Sequence, residues 1–314
     1  MSISRRKFVK NIGTTVMVAP FLSLPDFPVK NNIEDKLNVH IFSKHLQFLN
    51  WKEASKAAKE IGFNGLDLTV RPKGHILPEN VKKDLPKAIK QMNKAGLSCE
   101  MITTAIGDAS NHLDKMVIQT AGAEGVKFYR SNWFKFKKDR SLEASLEHYK
   151  EKVRELGELN SENNIIGCYQ NHSGTKVGAS FWEVKEILKS VNPAFFGAQY
   201  DIRHAVAEGG NSWSNGVKLL KDHIKTIVLK DFVWGQVDGK WKIINVPIGQ
   251  GMVDFDAYFK LMKKLDLKPP VSLHLEYSLG GAEKGKKDIL VSQDVVFEAM
   301  HKDLNMVQKL WQNA

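Results

Sequence analysis

His274 and Glu276 share one face of a short segment near the C-terminal end of the chain, and both side chains can carry protons. Residues 271–277 alternate, with Ser272, His274 and Glu276 on one side and apolar side chains on the other. A period of two predicts a β-strand that packs on helices with one face and meets polar groups with the other. We therefore expect Glu276 at the C-terminal end of a strand, as a carboxylate available for general acid–base chemistry or for binding a cation.

Other predicted strands end in polar residues in the same way. The residues concerned are Arg71, Gln170 with Asn171 and His172, Asp201 with His204, and Lys230. Any one of them could simply fix a loop by a hydrogen bond. If the strands form a barrel, however, all these ends meet at one mouth, and polar groups are costly to bury there without a use. The set could hold a divalent cation and transfer a proton, which favours an active site.

The elements that must position these residues alternate along the chain from residue 37. Apolar segments predict strands at residues 37–42, 65–71, 98–104, 126–130, 165–170, 195–201, 224–231 and 271–277, and residues at helical spacing lie between them. Eight such repeats without an early Gly-x-Gly-x-x-Gly turn favour a (β/α)₈ TIM barrel over a doubly wound sheet. With 314 residues, 42% of them hydrophobic, the chain suits a single barrel domain over residues 29–314.

One segment departs from the repeat. Asp238 and Gly239 stand between two strand-like runs within residues 233–243, a pattern typical of a tight β-hairpin. The hairpin would project from the loop after the seventh strand, on the face where barrels carry their active sites.

The N-terminal residues predict an export signal. Arg5 and Arg6 lie in Ser-Arg-Arg-Lys-Phe, a match to the twin-arginine pattern, and a mildly apolar run follows at residues 12–24. That run is too short to span a bilayer, so no stable membrane anchor is expected. We interpret residues 1–28 as a twin-arginine export signal and expect a periplasmic or secreted protein.

The formal net charge of +11 does not by itself predict a nucleic-acid partner. Four of the basic residues fall in the export signal, and the remaining lysines are mixed with glutamates on predicted helices. Such mixed runs are typical of solvated helix faces. No nucleic-acid partner is expected. The sequence does not decide between a monomer and an oligomer.

The order and strand placement of several segments resemble the xylose-isomerase-like barrel superfamily, the sugar phosphate isomerase/epimerase group. The segments are residues 62–71, 171–174, 201–204, 229–231, 247–251 and 275–276, within a similarity over residues 37–312. The resemblance implies a divalent metal (Mn, Co, Mg or Zn) held by Glu, Asp, His and Glu from strands five to eight. Carried over, Asp201 and Glu276 are metal ligands, and His204 is a substrate contact.

Two residues depart from that pattern. The strand-five Glu is Gln170, which retains a carbonyl oxygen for a metal but cannot act as a base. The strand-seven His is Val228, which cannot coordinate. Epimerisation between two opposed glutamates therefore lacks one base, while one-base chemistry beside a carbonyl remains open. Some exported relatives with this barrel resemble lyases of 3-keto-glycosides.

The sequence thus predicts a carbohydrate-active isomerase or epimerase-like enzyme that abstracts a proton next to a sugar carbonyl. Glu276 is expected as base or ligand, Asp201 and Gln170 as further ligands, and Lys230 as the cation that stabilises an enolate oxygen. Five residues are expected to contact the substrate: Arg71, Gln170, Asn171, His172 and His204, of which His204 is also expected to be catalytic with Glu276 and Lys230. The alternatives are a 3-keto-glycoside lyase or hydratase of the same fold and a carbohydrate-binding barrel without catalysis; bound metal and loss of a substrate α-proton to heavy water distinguish them.

Overall fold

Eight parallel strands close into a barrel in the computed structural model, which describes residues 35–314. They are β1 (Val39–Phe42), β2 (Gly65–Val70), β3 (Ser98–Thr104), β4 (Phe128–Arg130), β5 (Ile166–Gln170), β6 (Phe196–Asp201), β7 (Ile224–Leu229) and, after the hairpin strands β8 (Asp231–Val237) and β9 (Lys240–Val246), β10 (Val271–Leu273). The order around the barrel is β1-β10-β7-β6-β5-β4-β3-β2. The predicted (β/α)₈ fold is confirmed.

Helices follow the strands and cover the outside of the barrel with their apolar faces. They are α1 (Trp51–Ile61), α2 (Val81–Lys94), α3 (His112–Ala123), α4 (Leu142–Glu162), α5 (Phe181–Ile187), α6 (Ile202–Gly209), α7 (Trp213–Leu220), α8 (Phe255–Lys264) and α9 (Gln293–Asn313). Local sequence sets their starts: Asn50 and Glu53 form a reciprocal capping box at α1.

The connection between β6 and β7 contains two helices, where the sequence predicts one around residues 217–220. The additional helix, α6, begins directly after β6, because the Asp201 carboxylate accepts the backbone N–H of His204 and so caps it. His204 therefore lies in the first turn of a helix and not at a strand end.

The last barrel strand is shorter than the alternation at residues 271–277 predicts. Regular pairing ends at Leu273, although the His274 N–H still donates to the Leu229 carbonyl. The next N–H, of Leu275, donates to the imidazole Nε2 of His45 instead of to a strand. A side chain thus replaces the hydrogen bond to a neighbouring strand, and Glu276 lies in an irregular segment beyond the strand.

The hairpin after β7 is confirmed. β8 and β9 pair antiparallel from Asp231–Val246 to Val237–Lys240, and Asp238 and Gly239 both have positive φ, as the tight turn requires. Its tip is exposed, with Trp241 65% accessible.

Asp231 holds the loop that follows the hairpin. Its carboxylate accepts the backbone N–H groups of Phe232, Gly249, Gly251 and Val253. A Cβ at Gly251 would collide with that carboxylate and with the Phe232 carbonyl, so only glycine fits there. This carboxylate therefore supports the loop and is not free for chemistry.

The export signal and its boundary at residue 28 lie outside the described residues and stay predictions. Within residues 35–314, no helix is long and apolar enough to cross a membrane.

Asp303 should make stability depend on pH. It is buried on α9, accepts bonds from Tyr277 Oη (3.0 Å) and the Ile248 N–H (3.3 Å), and its burial raises its pKa to about 6. Nearby Asp231 adds to this increase. A pKa that is higher in the folded state than in the unfolded state stabilises the fold fully below the unfolded-state pKa, and this stabilisation is lost as pH rises through the folded-state pKa. The free energy of unfolding of wild type should therefore fall by about 3 kcal/mol between about pH 4 and 7 because of this group.

Urea unfolding of Asp303→Asn against wild type at both ends of that range checks the expectation. The Asn variant should lack this component, whereas Asp256→Asn, at an exposed position on α8, should keep it. Parallel pH profiles for wild type and Asp303→Asn would contradict it.

Candidate active site

A small cavity of about 90 Å³ opens at the carboxyl ends of the strands. Its wall is made by Phe42, Lys44, Arg71, Arg130, Trp133, Gln170, His172, Lys230, His274 and Glu276. Ligand pockets are commonly about 300–1,000 Å³, so a sugar requires side chains such as Lys44 or Trp133 to move aside. A larger groove of about 650 Å³ lies on the outer face, beside α9 and the 247–250 loop. Its charged side chains include the exposed α9 pair Glu298 and Lys302, whereas the small cavity gathers polar side chains from several strand ends, so we place the candidate site in the small cavity.

Lys230 lies at the centre of the polar network. Its ammonium nitrogen is 2.9 Å from His204 Nε2, 3.1 Å from Asp201 Oδ2 and 3.5 Å from Glu276 Oε2. The contact to His204 is a hydrogen bond, and the contacts to Asp201 and Glu276 are ion pairs. The side chain is nearly inaccessible, so its charge is balanced by these neighbours and not by water.

Asp201 is completely buried beneath Lys230. Its Oδ2 accepts the Gln170 amide (2.7 Å) and forms an ion pair with the Lys230 ammonium, and its Oδ1 caps α6. Asn171 locks the backbone of the same residue, since its Oδ1 accepts the Asp201 N–H (2.8 Å) and its Nδ2 donates to the Asp201 carbonyl (3.0 Å). Asn171 was predicted to contact substrate, but both ends of its amide are used in joining β5 to β6 and it is not part of the cavity wall.

His204 lies behind Lys230 and does not line the cavity either. Because an ammonium only donates, His204 Nε2 accepts from Lys230, and His204 Nδ1 lies 2.8 Å from Ser173 Oγ and 3.0 Å from Arg203 Nη1. Burial lowers the pKa of His204 well below its usual value, and the neighbouring Lys230 lowers it further. His204 is thus a neutral acceptor that positions Lys230.

Glu276 is the carboxylate that reaches the cavity. Its Oε1 accepts from Lys44 Nζ at 3.2 Å and lies 3.8 Å from His274 Nδ1. Burial raises its pKa, but Lys230, His274 and Lys44 together outweigh burial and keep the pKa well below its usual value. Glu276 is therefore ionised at neutral pH, which is the form that can act as a base.

His172 and His274 present neutral imidazoles to the cavity. Burial and the nearby Lys230 lower the pKa of His172 to about 4, and burial lowers that of His274. The His172 ring packs edge-on against Trp133, and the His274 ring stacks on Phe42. Stacked neutral rings of this kind can contact the hydroxyl groups and faces of a sugar.

The structure brings together Arg71, Gln170, His172, Lys230 and Glu276 on the cavity wall, with Asp201 and His204 directly behind. His274 also lies on the wall, as its place on the polar face of the last strand predicts, whereas the sequence reasoning missed Phe42, Lys44, Arg130 and Trp133. Arg130 ends β4, so the strand-end rule could have found it. Lys44 lies in the 3₁₀ turn Ser43–Leu46 after β1, where no pattern marks it.

The predicted metal ligands do not fit a divalent cation. The Gln170 amide donates to Asp201, Val228 replaces a ligand, and the Lys230 ammonium lies between Asp201 and Glu276, where a cation between those carboxylates would be. Within residues 35–314, no three His, Cys, Asp or Glu side chains are grouped so that they could hold a metal. The expected metal on Asp201, Glu276 and Gln170 therefore conflicts with the donors present, since an ammonium repels a metal ion.

The closed parallel barrel places a carboxylate, an ammonium and imidazoles at the carboxyl ends of its strands, the face where TIM-barrel enzymes carry their active sites. The chain belongs to the xylose isomerase-like TIM barrel family, whose model matches residues 55–293. A search of curated proteins finds no match.

Solved structures share the fold at low sequence identity. The IOLI protein with a bound zinc atom is 19% identical, with 87% of this chain and 98% of that chain covered and a TM-score of 0.67. The probable 3-DHS dehydratase AsbF from Bacillus anthracis is 15% identical (84% and 97% covered, TM-score 0.61). The 3-keto-D-glucoside 4-epimerase YcjR from E. coli is 12% identical (81% and 97% covered, TM-score 0.60). The fold thus occurs in an epimerase and a probable dehydratase, and one of these structures contains zinc.

Proposed function

We propose that the protein is a carbohydrate-active enzyme that removes a proton from the carbon next to a sugar carbonyl. The observation that carries the proposal is the Lys230 ammonium, held by Asp201 and His204, beside the Glu276 carboxylate at the barrel mouth. A positive charge next to a base is the pair that enolate formation needs.

The longest of the three Lys230 contacts, 3.5 Å to Glu276, is the one that substrate replaces. The carbonyl oxygen of the sugar accepts from Lys230 in its place. Glu276 then takes the α-proton, the C–H electron pair moves into the new carbon–carbon double bond, and the carbonyl electrons move onto oxygen. Lys230 stabilises that enolate oxygen, while Asp201 and His204 keep its position.

A single carboxylate limits how the enolate can react. Gln170 cannot accept or return a proton, so the enolate is resolved by Glu276 itself or by loss of a β-substituent. When the α-carbon carries a hydroxyl, that hydroxyl proton moves to the enolate oxygen and Glu276 returns the other proton to the former carbonyl carbon, which gives isomerisation. When the β-substituent departs with its bonding electrons as the carbonyl re-forms, and takes the proton from Glu276, the result is elimination. The substitution at Gln170 favours these two outcomes over epimerisation between opposed bases. A 3-keto-glycoside, the substrate class of the YcjR relative, offers both an α-proton and a leaving group.

The test is a screen of ketoses and 3-keto-glycosides in heavy water, followed by ¹H NMR. The proposal predicts loss of one α-proton signal at a rate proportional to enzyme concentration. Binding of a sugar without loss of its α-proton signal would instead indicate a barrel that binds carbohydrate and has lost catalysis.

We also propose that residues 1–28 direct export through the twin-arginine route. The support is the Arg5-Arg6 pair ahead of an apolar run. Replacing both with Lys should leave the precursor unprocessed in the cytoplasm, as judged by fractionation and mass spectrometry. Normal processing of this double variant would contradict the proposal, and Lys7→Ala is the matched control that should be exported.

A further inference from the structure

Arg130 is a buried cation without sufficient partners. It is 4% exposed at the end of β4, and its guanidinium carbon lies 4.2 Å from the centroid of the Trp133 ring. Its Nη2 donates to the Thr104 carbonyl at 3.2 Å. Within residues 35–314, its Nε and Nη1 have no hydrogen-bond partner, and neither has Trp133 Nε1. Unpaired buried donors on a charged group are expensive, so the native protein should supply an acceptor.

The cavity wall as a whole carries more positive than negative charge. Lys44, Arg71, Arg130 and Lys230 line it together with one carboxylate, Glu276. Lys44 and Lys230 both contact that carboxylate, and Lys230 also pairs with Asp201 behind the wall. The charge of the buried Asp67 carboxylate acts on both Arg71 and Arg130, so four cations face three carboxylates and one positive charge remains in excess. Burial, and then the proximity of Arg71, lowers the pKa of Arg130 to about 9. A neutral sugar would leave this excess charge uncompensated.

The position of Arg130 separates it from the proposed base. β4 is four strands from β10 in either direction around the barrel, so Arg130 faces the Glu276 side across the mouth. Arg71, after β2, lies between the two around one side. A substrate that spans the mouth would meet Lys230 and Glu276 with one part and Arg130 with the other.

We propose that Arg130 and Arg71 bind an oxyanion carried by the substrate, so that the protein acts on an acidic carbohydrate with a carboxylate or phosphate group distant from the reacting carbonyl. This inference rests on the proposed function for the reacting end only. Guanidinium groups bind carboxylate and phosphate oxygens by charge-assisted hydrogen bonds, and such bonds would satisfy the free Arg130 donors.

The test uses three ketoses that differ only at carbon six: D-fructose, its 6-carboxylate (D-fructuronate) and its 6-phosphate. Calorimetric titration of the full chain should show that one of the two acids binds at least about thirtyfold more tightly than fructose, the scale of a charge-assisted pair. Preference for the carboxylate assigns a sugar acid, and preference for the phosphate assigns a sugar phosphate. Equal binding of all three, or binding of none, overturns the inference.

Arg130→Met should reduce the preference for the acid over fructose to within about threefold. Arg130→Lys, which keeps the charge but not the fork, should recover part of it. Lys176→Met is the matched control, because Lys176 Nζ also lies over the Trp133 ring, at 4.1 Å, but is not part of the cavity wall. A full preference in Arg130→Met contradicts the inference, as does its loss in Lys176→Met; if the Met variant does not fold, Arg130→Lys and wild type decide.

The two proposals fail differently. Acid-selective binding without α-proton exchange on any ketose removes the proposed function and leaves the oxyanion site. Exchange that is equally fast on fructose and on both acids leaves the function and removes the oxyanion site.

Discussion

Glu276→Gln should lower the rates of turnover and of α-proton exchange by at least about a hundredfold, while sugar affinity changes by less than about tenfold. The reason is that Glu276 is the carboxylate on the cavity wall, and glutamine keeps its size but cannot accept the proton. Exchange followed by NMR and affinity measured by calorimetry separate the two effects.

Glu100→Gln is the matched control for this change. Glu100 also pairs with a lysine, Lys127, at 3.0 Å, but it belongs to the opposite, amino-terminal end of the barrel. It should lose some stability and retain activity. Full activity in Glu276→Gln would transfer the base role to another group, with the cavity imidazole His172 the next candidate.

Lys230→Met should lower kcat by about a hundredfold to a thousandfold, the range for loss of one group that stabilises a developing oxyanion. The Michaelis constant should change much less, because the ammonium acts mainly on charge that develops in the transition state. Steady-state kinetics on the substrate identified by the screen provides the measurement.

The same variant should also be less stable. Removal of the ammonium leaves Asp201 and Glu276 without the cation between them, and breaking a buried pair of this kind costs about 3–5 kcal/mol. Lys127→Met, at the far end of the barrel, should leave kcat unchanged. Activity within about threefold of wild type in folded Lys230→Met would contradict the role assigned to Lys230.

The sequence was sufficient for the barrel and for the hairpin. Alternation of apolar strands with helical stripes depends on local periodicity, and the Asp238-Gly239 turn depends on two residues that tolerate positive φ. The predicted end of the last barrel strand was wrong because His45, 230 residues away in the chain, accepts a hydrogen bond from the Leu275 N–H. No local pattern contains a contact of that kind.

Within the site, the strand-end rule identified residues but not their roles. It found Gln170, Asp201, Lys230 and Glu276, and the structure brings all four together. The spacing of residues does not fix the direction of a long, flexible side chain. It therefore could not predict that Lys230 lies between the two carboxylates. Asn171 has the residue type of a substrate contact, yet the backbone of Asp201 uses both ends of its amide.

The most direct measurement is the rate of α-proton exchange by protein that has been treated with a chelator and assayed without divalent metal. This rate shows whether an ammonium or a metal ion stabilises the enolate oxygen. Because the Lys230 ammonium supplies the positive charge there, we expect exchange to continue at a rate within about threefold of the untreated protein. Exchange that is lost on chelation and restored by manganese, cobalt, magnesium or zinc would contradict this role of Lys230, and would show that Asp201 and Glu276 release Lys230 to bind a metal.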